Sequence, residues 1–307
     1  MRARVGPLRL LAAAAALFAL AWTCPATAAE PFGVESPSST PSAPGGTEQA
    51  VIARYFELGR TRPFFALTAE AGYGYVKPRF ALGYGRPFWS WLGVEIYPLT
   101  SLSGIGGYGG INASLPGFTF RSGARYYYPF SRSLLEPQSR FNRSDLDILR
   151  GPKGDYMALE AELTGTVPFF FGSLFGVVTA YRTAMVPLDH YLFEDSLRAV
   201  MKPPYIGRGR FGYLLAFGTD GALRVGPAAD IIVLPGRALT IVRAGVLGSV
   251  LISPSLEAQA SFIPVLMSRD NLGLLGGDFG QLGVRYRFAT ASEPDPAHMK
   301  SKEPAPR

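Results

Sequence analysis

The sequence is poor in the groups on which most enzyme and metal chemistry depends. In 307 residues it has one cysteine, Cys24, and two histidines, His190 and His298. One thiol cannot make an intrachain disulfide, and no His-Glu-x-x-His, Cys-x-x-Cys or Gly-x-Ser-x-Gly pattern occurs. No cofactor and no metal are expected. Charge is also scarce, at 17% of residues, where soluble domains carry roughly a quarter. Between Thr61 and Thr290 the lysines are Lys77, Lys153 and Lys202 alone. What is abundant is apolar and small. Apolar residues make up 48%, which excludes disorder throughout, and aromatics 13%, beside 36 glycines and 26 prolines without a Gly-X-Y repeat. Such a composition favours many short strands over helices.

The chain begins as an export signal does. Arg2, Arg4 and Arg9 precede an apolar run from Leu10 to Trp22 and the small-residue pattern Ala26-Thr27-Ala28, so residues 1–28 read as a cleaved signal peptide. Cys24 would leave with it. Residues 29–60 are rich in Ser, Pro and Gly and read as a disordered periplasmic linker; residues 291–307 read as a disordered tail. The folded body is then 61–290.

Within the body, polar and apolar residues keep opposite parities, which puts them on opposite faces of a strand. Gln281, Gly283, Arg285 and Arg287 alternate with Leu282, Val284, Tyr286 and Phe288. Glu160, Glu162, Thr164 and Thr166 oppose Met157, Leu159, Ala161 and Leu163; Arg121 and Arg125 oppose Phe120, Tyr126 and Tyr128. Glu70 opposes Ala69 and Tyr73, Glu257 opposes Leu256 and Ala258, and Arg224 and Asp230 oppose Leu223, Val225 and Ile231. A soluble secreted β-sandwich would alternate too, but with more lysine and threonine on its wet face. Here the apolar face often ends in Tyr or Phe, as a membrane girdle does. The pattern predicts about twelve strands, with 10 to 14 compatible; the first two are expected at 63–76 and 79–86, broken near Pro78, and a turn signal lies at Gly172-Ser173. Long connections at 131–155, 187–208 and 268–278 follow the fifth, seventh and eleventh, so all three fall at one end.

This combination resembles a bacterial outer-membrane β-barrel, an antiparallel all-β fold. The most specific element is Gln281-Leu282-Gly283-Val284-Arg285-Tyr286-Arg287-Phe288. It is similar to the last-strand signal read by the barrel-assembly machinery, with Gly283, Tyr286 and Phe288 at the signal positions. The resemblance departs in one respect, since a polar tail follows Phe288. It implies outer-membrane lipid and the assembly machinery as partners, and the outer membrane as location.

Three other motifs have bland readings. Gly104-Ile105-Gly106-Gly107-Tyr108-Gly109 matches Gly-x-Gly-x-x-Gly, yet it leads to a Pro116-Gly117 turn rather than a helix, so the glycines read as room for bulky neighbours and not as a nucleotide loop. The arginines alternate through strands instead of clustering, which argues against nucleic acid. The uncharged run Leu163 to Tyr181 contains Pro168, Gly165, Gly172 and Gly176, and reads as a hairpin rather than a transmembrane helix.

Charges on strands would each cost several kcal/mol in lipid, so a barrel must turn them inward. The candidates are Glu70, Arg121, Arg125, Glu160, Glu162, Arg224, Asp230, Arg243, Glu257, Arg285 and Arg287. They could line a small-solute pore whose basic excess favours anions, or form a salt-bridged plug in a structural envelope protein; a twelve-stranded lumen is compatible with both. No enzyme activity is expected. The alternative of a barrel-embedded lipid hydrolase would rest on His190, in Leu188-Asp189-His190-Tyr191, with a serine that the sequence does not position.

Overall fold

The computed structural model describes residues 61–290, apart from 73–74, 131, 147–151, 188, 219–221, 254 and 279–281. The leader, linker and tail expected at 1–28, 29–60 and 291–307 lie outside the described residues.

The alternating segments form long antiparallel strands. In chain order they are β1 (Arg62–Gly72), β2 (Tyr75–Arg86), β3 (Ser90–Ser101), β4 (Gly104–Leu115) and β5 (Phe118–Pro129), then, after a long loop holding β6 (Leu134–Leu135), β7 (Tyr156–Phe169) and β8 (Gly172–Ala184). A second long loop holds β9 (Tyr191–Glu194) and β10 (Ala199–Met201); β11 (Tyr205–Phe217), β12 (Leu223–Leu234), β13 (Leu239–Ser253), β14 (Leu256–Phe262), β15 (Val265–Met267) and β16 (Gly283–Ala289) follow. β15 carries the path of β14 on past Pro264 and stays paired to β13. The ring closes where β16 meets β1, with Glu70 opposite Arg285. The result is a closed antiparallel barrel of twelve strands, β1 to β5, β7, β8, β11 to β14 and β16. Closure leaves no sheet edge, which is the condition for a sheet to exist in lipid.

Parity decides which side each residue faces. Val94, Ile96, Ile111, Leu159, Val246 and Val284 lie on the outer parity and are exposed. So are Tyr126, Tyr128 and Tyr205 toward the long-loop end, and Tyr84, Phe169, Phe217 and Phe288 toward the end holding both Arg62 and Thr290. An apolar belt between two aromatic rims is what a barrel presents to a bilayer. Strands of 12 residues are about 40 Å long, and at a tilt of about 40° they rise about 30 Å, enough to cross the hydrocarbon layer.

The first hairpin differs from expectation. Alternation suggests a break near Pro78, whereas β1 ends at Gly72 and β2 begins at Tyr75. Pro78 stays in the β1–β2 ladder opposite Ala69, and the missing N–H shows on the other side, where β2–β3 pairing lapses between Val76↔Thr100 and Phe80↔Ile96. The run from Leu163 to Tyr181 is the β7–β8 hairpin, turning at Phe170-Phe171 rather than at Gly172-Ser173. The glycines of β4 make close approach possible: Gly110 faces Gly123 on β5, and a Cβ on Gly123 would lie 2.7 Å from the Tyr108 ring. Tyr108 in turn stacks on Tyr97, centroids 4.6 Å apart. No helix opens there, so the Gly-x-Gly-x-x-Gly match serves ring packing.

The three long loops do not hang free. β6, β9 and β10 form a small sheet. One apolar cluster joins Leu192, Leu197, Ala199 and Met201 from the second loop to inward residues Tyr127, Tyr156, Ile206, Ile232 and Ile241 of five barrel strands. A second cluster joins the loops to one another through Leu135, Phe141, Val200 and Leu272. Each such side chain contributes about 1.5–3 kcal/mol by leaving water, so the second loop is folded into the lumen and fills its long-loop half.

Candidate functional site

Among the described residues, the strand charges converge in the lumen. Two levels can be separated along the barrel axis.

The upper level is a belt of ion pairs that fastens the loop to the wall. Arg125 on β5 pairs with Glu160 on β7 and, at 2.7 Å, with Glu194 on the loop strand β9. Glu194 is saturated: Tyr156 Oη donates to it at 2.9 Å, Ser196 Oγ at 2.7 Å and the Leu197 amide at 2.8 Å. Burial alone would raise its pKa, but Arg125 and these donors overcome that and hold the carboxyl below the usual glutamate range. The adjacent Asp195 has the opposite fate. Burial pushes it above the usual aspartate range, against the hydrogen bonds donated by Ser103 Oγ at 2.6 Å and by Tyr127 Oη. Across the lumen, Arg243 on β13 donates to the Leu197 and Arg198 carbonyls at 2.7 and 3.1 Å. Beside it, where β12 pairs with both β13 and β11, Arg210 and Arg208 of β11 share Asp230 of β12, at 2.5 and 2.9 Å, and Arg210 reaches Asp278 from the third loop. A further clamp lies above, where Arg237 grips Asp270 with two bonds of 2.5 and 2.8 Å and rests on the Phe141 ring.

The lower level is hollow. A cavity of about 460 Å³ lies between the belt and the end where Arg62 and Thr290 sit, walled by strand residues and Phe88. Glu70 pairs with Lys77 and Arg285, both at 2.9 Å. Glu257 pairs with Arg285 at 3.3 Å and Arg287 at 2.5 Å. Glu95 is shared by Arg121 at 3.1 Å, Asn112 at 3.1 Å and, more loosely, Arg79 at 4.0 Å. Glu162 meets Arg121 at 3.7 Å, and Arg224 lies in the same wall.

Of the charges singled out by alternation, Arg125, Glu160, Asp230 and Arg243 belong to the belt, and Glu70, Arg121, Glu162, Arg224, Glu257, Arg285 and Arg287 line the cavity. Sequence reasoning missed Lys77, which the break it placed at Pro78 left between strands, and Arg79, which that break left at a strand end. It also missed Glu95, although Leu92, Val94 and Ile96 on the other parity mark it. Glu194, Asp270 and Asp278 had no signal in sequence, since loops have no parity. Tyr286 and Phe288 of the last strand face outward, and Gly283 faces Gly72 across the closing seam. His190 is beside Asp189, Nδ1 to Oδ1 2.9 Å, and this hydrogen bond keeps the exposed Asp189 carboxyl below its usual range. Among the described residues no serine hydroxyl is bonded to His190.

No family model matches the chain, and no curated protein matches it significantly. Among solved structures it is similar to a loop L8 deletion mutant of OmpT, an outer membrane protein of Vibrio cholerae, at 8% identity and a TM-score of 0.32, over 75% of this chain and 100% of that one. The barrel is established by its own strand register.

Proposed function

We propose that this chain is an outer-membrane protein, exported by its leader and inserted through a last-strand signal at Gly283, Tyr286 and Phe288, that serves as a closed, non-enzymatic envelope barrel. The observation that carries the closed reading is the insertion of residues 191–201 among inward side chains of β5, β7, β11, β12 and β13. Passage of small solutes would require that segment to withdraw, breaking the Arg125–Glu194 pair and the Arg243 bonds together. An open, anion-selective pore is thereby the less favoured form of the same barrel.

The test is conductance in planar bilayers. The parent protein is expected to be silent, and a variant with residues 189–201 replaced by a short Gly-Ser linker is expected to conduct in steps with anion preference. Stepwise conductance from the parent would overturn the closed reading.

A further inference from the structure

The cavity at the terminus end has a surface that its composition does not announce. Five arginines and four glutamates contribute to its wall, which suggests near neutrality. Arg224 is buried, but three other arginines and three of the glutamates lie at different depths. The side chains of Arg285, Arg79 and Arg121 are 28%, 20% and 16% exposed, whereas those of Glu70, Glu257 and Glu95 are 8%, 6% and 1% exposed. Since these residues face inward, that exposure is to the cavity. Each withdrawn carboxylate is shared by two cations: Glu70 by Lys77 and Arg285, Glu257 by Arg285 and Arg287, Glu95 by Arg79 and Arg121. Arg121 bridges Glu95 and Glu162 and Arg285 bridges Glu70 and Glu257, whereas Arg79 meets one carboxylate loosely and so can turn its planar fork to an oxyanion. Arg79 makes the loosest ion pair of the wall, with its Nη1 4.0 Å from Glu95, and rests over the Tyr97 ring. Glu162, 26% exposed, is the carboxylate that shares the surface.

The mouth has a different chemistry. Trp91, Phe64 and Phe88 line it, the first two packed edge to face at 5.4 Å. Trp91 lies four residues from Glu95 along β3, about 13 Å in an extended strand. The cavity is thus elongated, aromatic at its opening and cationic on its floor.

We propose that this cavity is a binding site for a small organic anion, one carrying a carboxylate or phosphate group on an aromatic or other apolar body. The oxyanion sits on Arg79, in the positive field of Arg121 and Arg285, and the apolar body lies against Trp91 and Phe64. Because the belt and the folded loop close the far end, a ligand enters from the terminus end, which is the periplasmic side on the reading above. The proposal depends on that reading for the side of entry only.

The experiment is calorimetric titration of the full folded chain in detergent with phenyl phosphate, inorganic phosphate, benzoate and benzyltrimethylammonium. Phenyl phosphate and benzoate are expected to bind, inorganic phosphate more weakly, and the cation not at all. Raising salt to about 1 M, where the Debye length is about 3 Å, should weaken binding. Arg79→Gln is expected to weaken phenyl phosphate about tenfold, Trp91→Ala to remove its advantage over inorganic phosphate, and Glu162→Gln to tighten it. Arg79 has the loosest ion pair, so its replacement spares the barrel, and retained heat-modifiability on a gel confirms folding. Absence of phenyl phosphate binding, equal binding of the cation, or unchanged affinity in a folded Arg79→Gln variant overturns the proposal. Conductance by the parent protein would overturn the closed-barrel reading and leave anion binding standing.

Discussion

Glu194 and Arg125 lie 69 positions apart in the chain and meet at 2.7 Å inside the barrel. This pair fastens a loop to the wall, and both partners are almost wholly buried. Removing one side leaves a desolvated charge, which typically costs about 3–5 kcal/mol. Arg125→Leu is therefore expected to destabilise the protein by that order, because Glu160 loses its partner as well. The midpoint of urea unfolding in detergent checks this; a change below about 1 kcal/mol would show the pair to be exchangeable with water.

Neighbours in the loop should respond in opposite ways. Glu194 is stabilised as a carboxylate and Asp195 is penalised as one. Glu194→Gln should loosen the loop and raise conductance, while Asp195→Asn should be neutral or stabilising, since its carbonyl still accepts from Ser103 and Tyr127. Limited proteolysis across residues 185–204 reads both. Equal sensitivity of the two variants would contradict the assignment.

The same two groups fix the pH dependence. A carboxylate with a depressed folded pKa contributes stability that is complete above its unfolded value and is lost as pH falls through the folded one. For Glu194 that loss lies below the ordinary glutamate range. Asp195, with a raised pKa, costs stability above its folded value, and the cost shrinks as pH falls from there toward the ordinary aspartate value. Hydrogen-exchange protection of the loop is expected to hold or rise through mild acid and to fall only in strong acid. A fall beginning in mild acid would mean that Glu194 is not held charged.

Parity predicts where a charge is tolerated. Val94 on β3 points outward and is exposed, so Val94→Arg should cost about 2–4 kcal/mol in a bilayer. Thr119→Arg, on the inner face at the cavity wall, should cost far less. Folding into liposomes distinguishes the two, and similar costs would mean the outer belt does not meet lipid.

Gly123 tests the packing of the barrel wall. A Cβ there would lie 2.4 Å from the Gly109 carbonyl and 2.7 Å from the Tyr108 ring. Gly123→Ala is expected to cost about 1–3 kcal/mol through overpacking. The same substitution at Gly107, where a Cβ meets nothing within 4 Å, should leave the urea midpoint nearly unchanged.

Much of the fold was legible because strands have a period of two. A lipid-facing side chain cannot be charged, so Leu282, Val284, Tyr286 and Phe288 had to oppose Gly283, Arg285 and Arg287 whatever the rest of the chain did. Prolines blurred this signal. Pro78 looks like a break in sequence, yet the ladder to β1 runs through it, and with the misplaced turn Lys77 and Arg79 dropped out of view. The belt partners supplied by loops were invisible for a different reason. Nothing local to Glu194 or Asp278 specifies a partner; each is placed by the path of its loop.

The sequence by itself determined a twelve-stranded barrel, the side each strand residue faces, and the end at which the long loops gather. These follow from alternation and from the cost of charge in lipid, which act residue by residue. Only the tertiary structure decided where the second long loop lies, and which charges neutralise which. Both depend on contacts between residues far apart in the chain: a loop of eleven residues, 191–201, turned inward rather than outward, and carboxylates set behind guanidiniums rather than beside them. The same set of charges could line a channel or lock one, and the choice is made by where the loop lies.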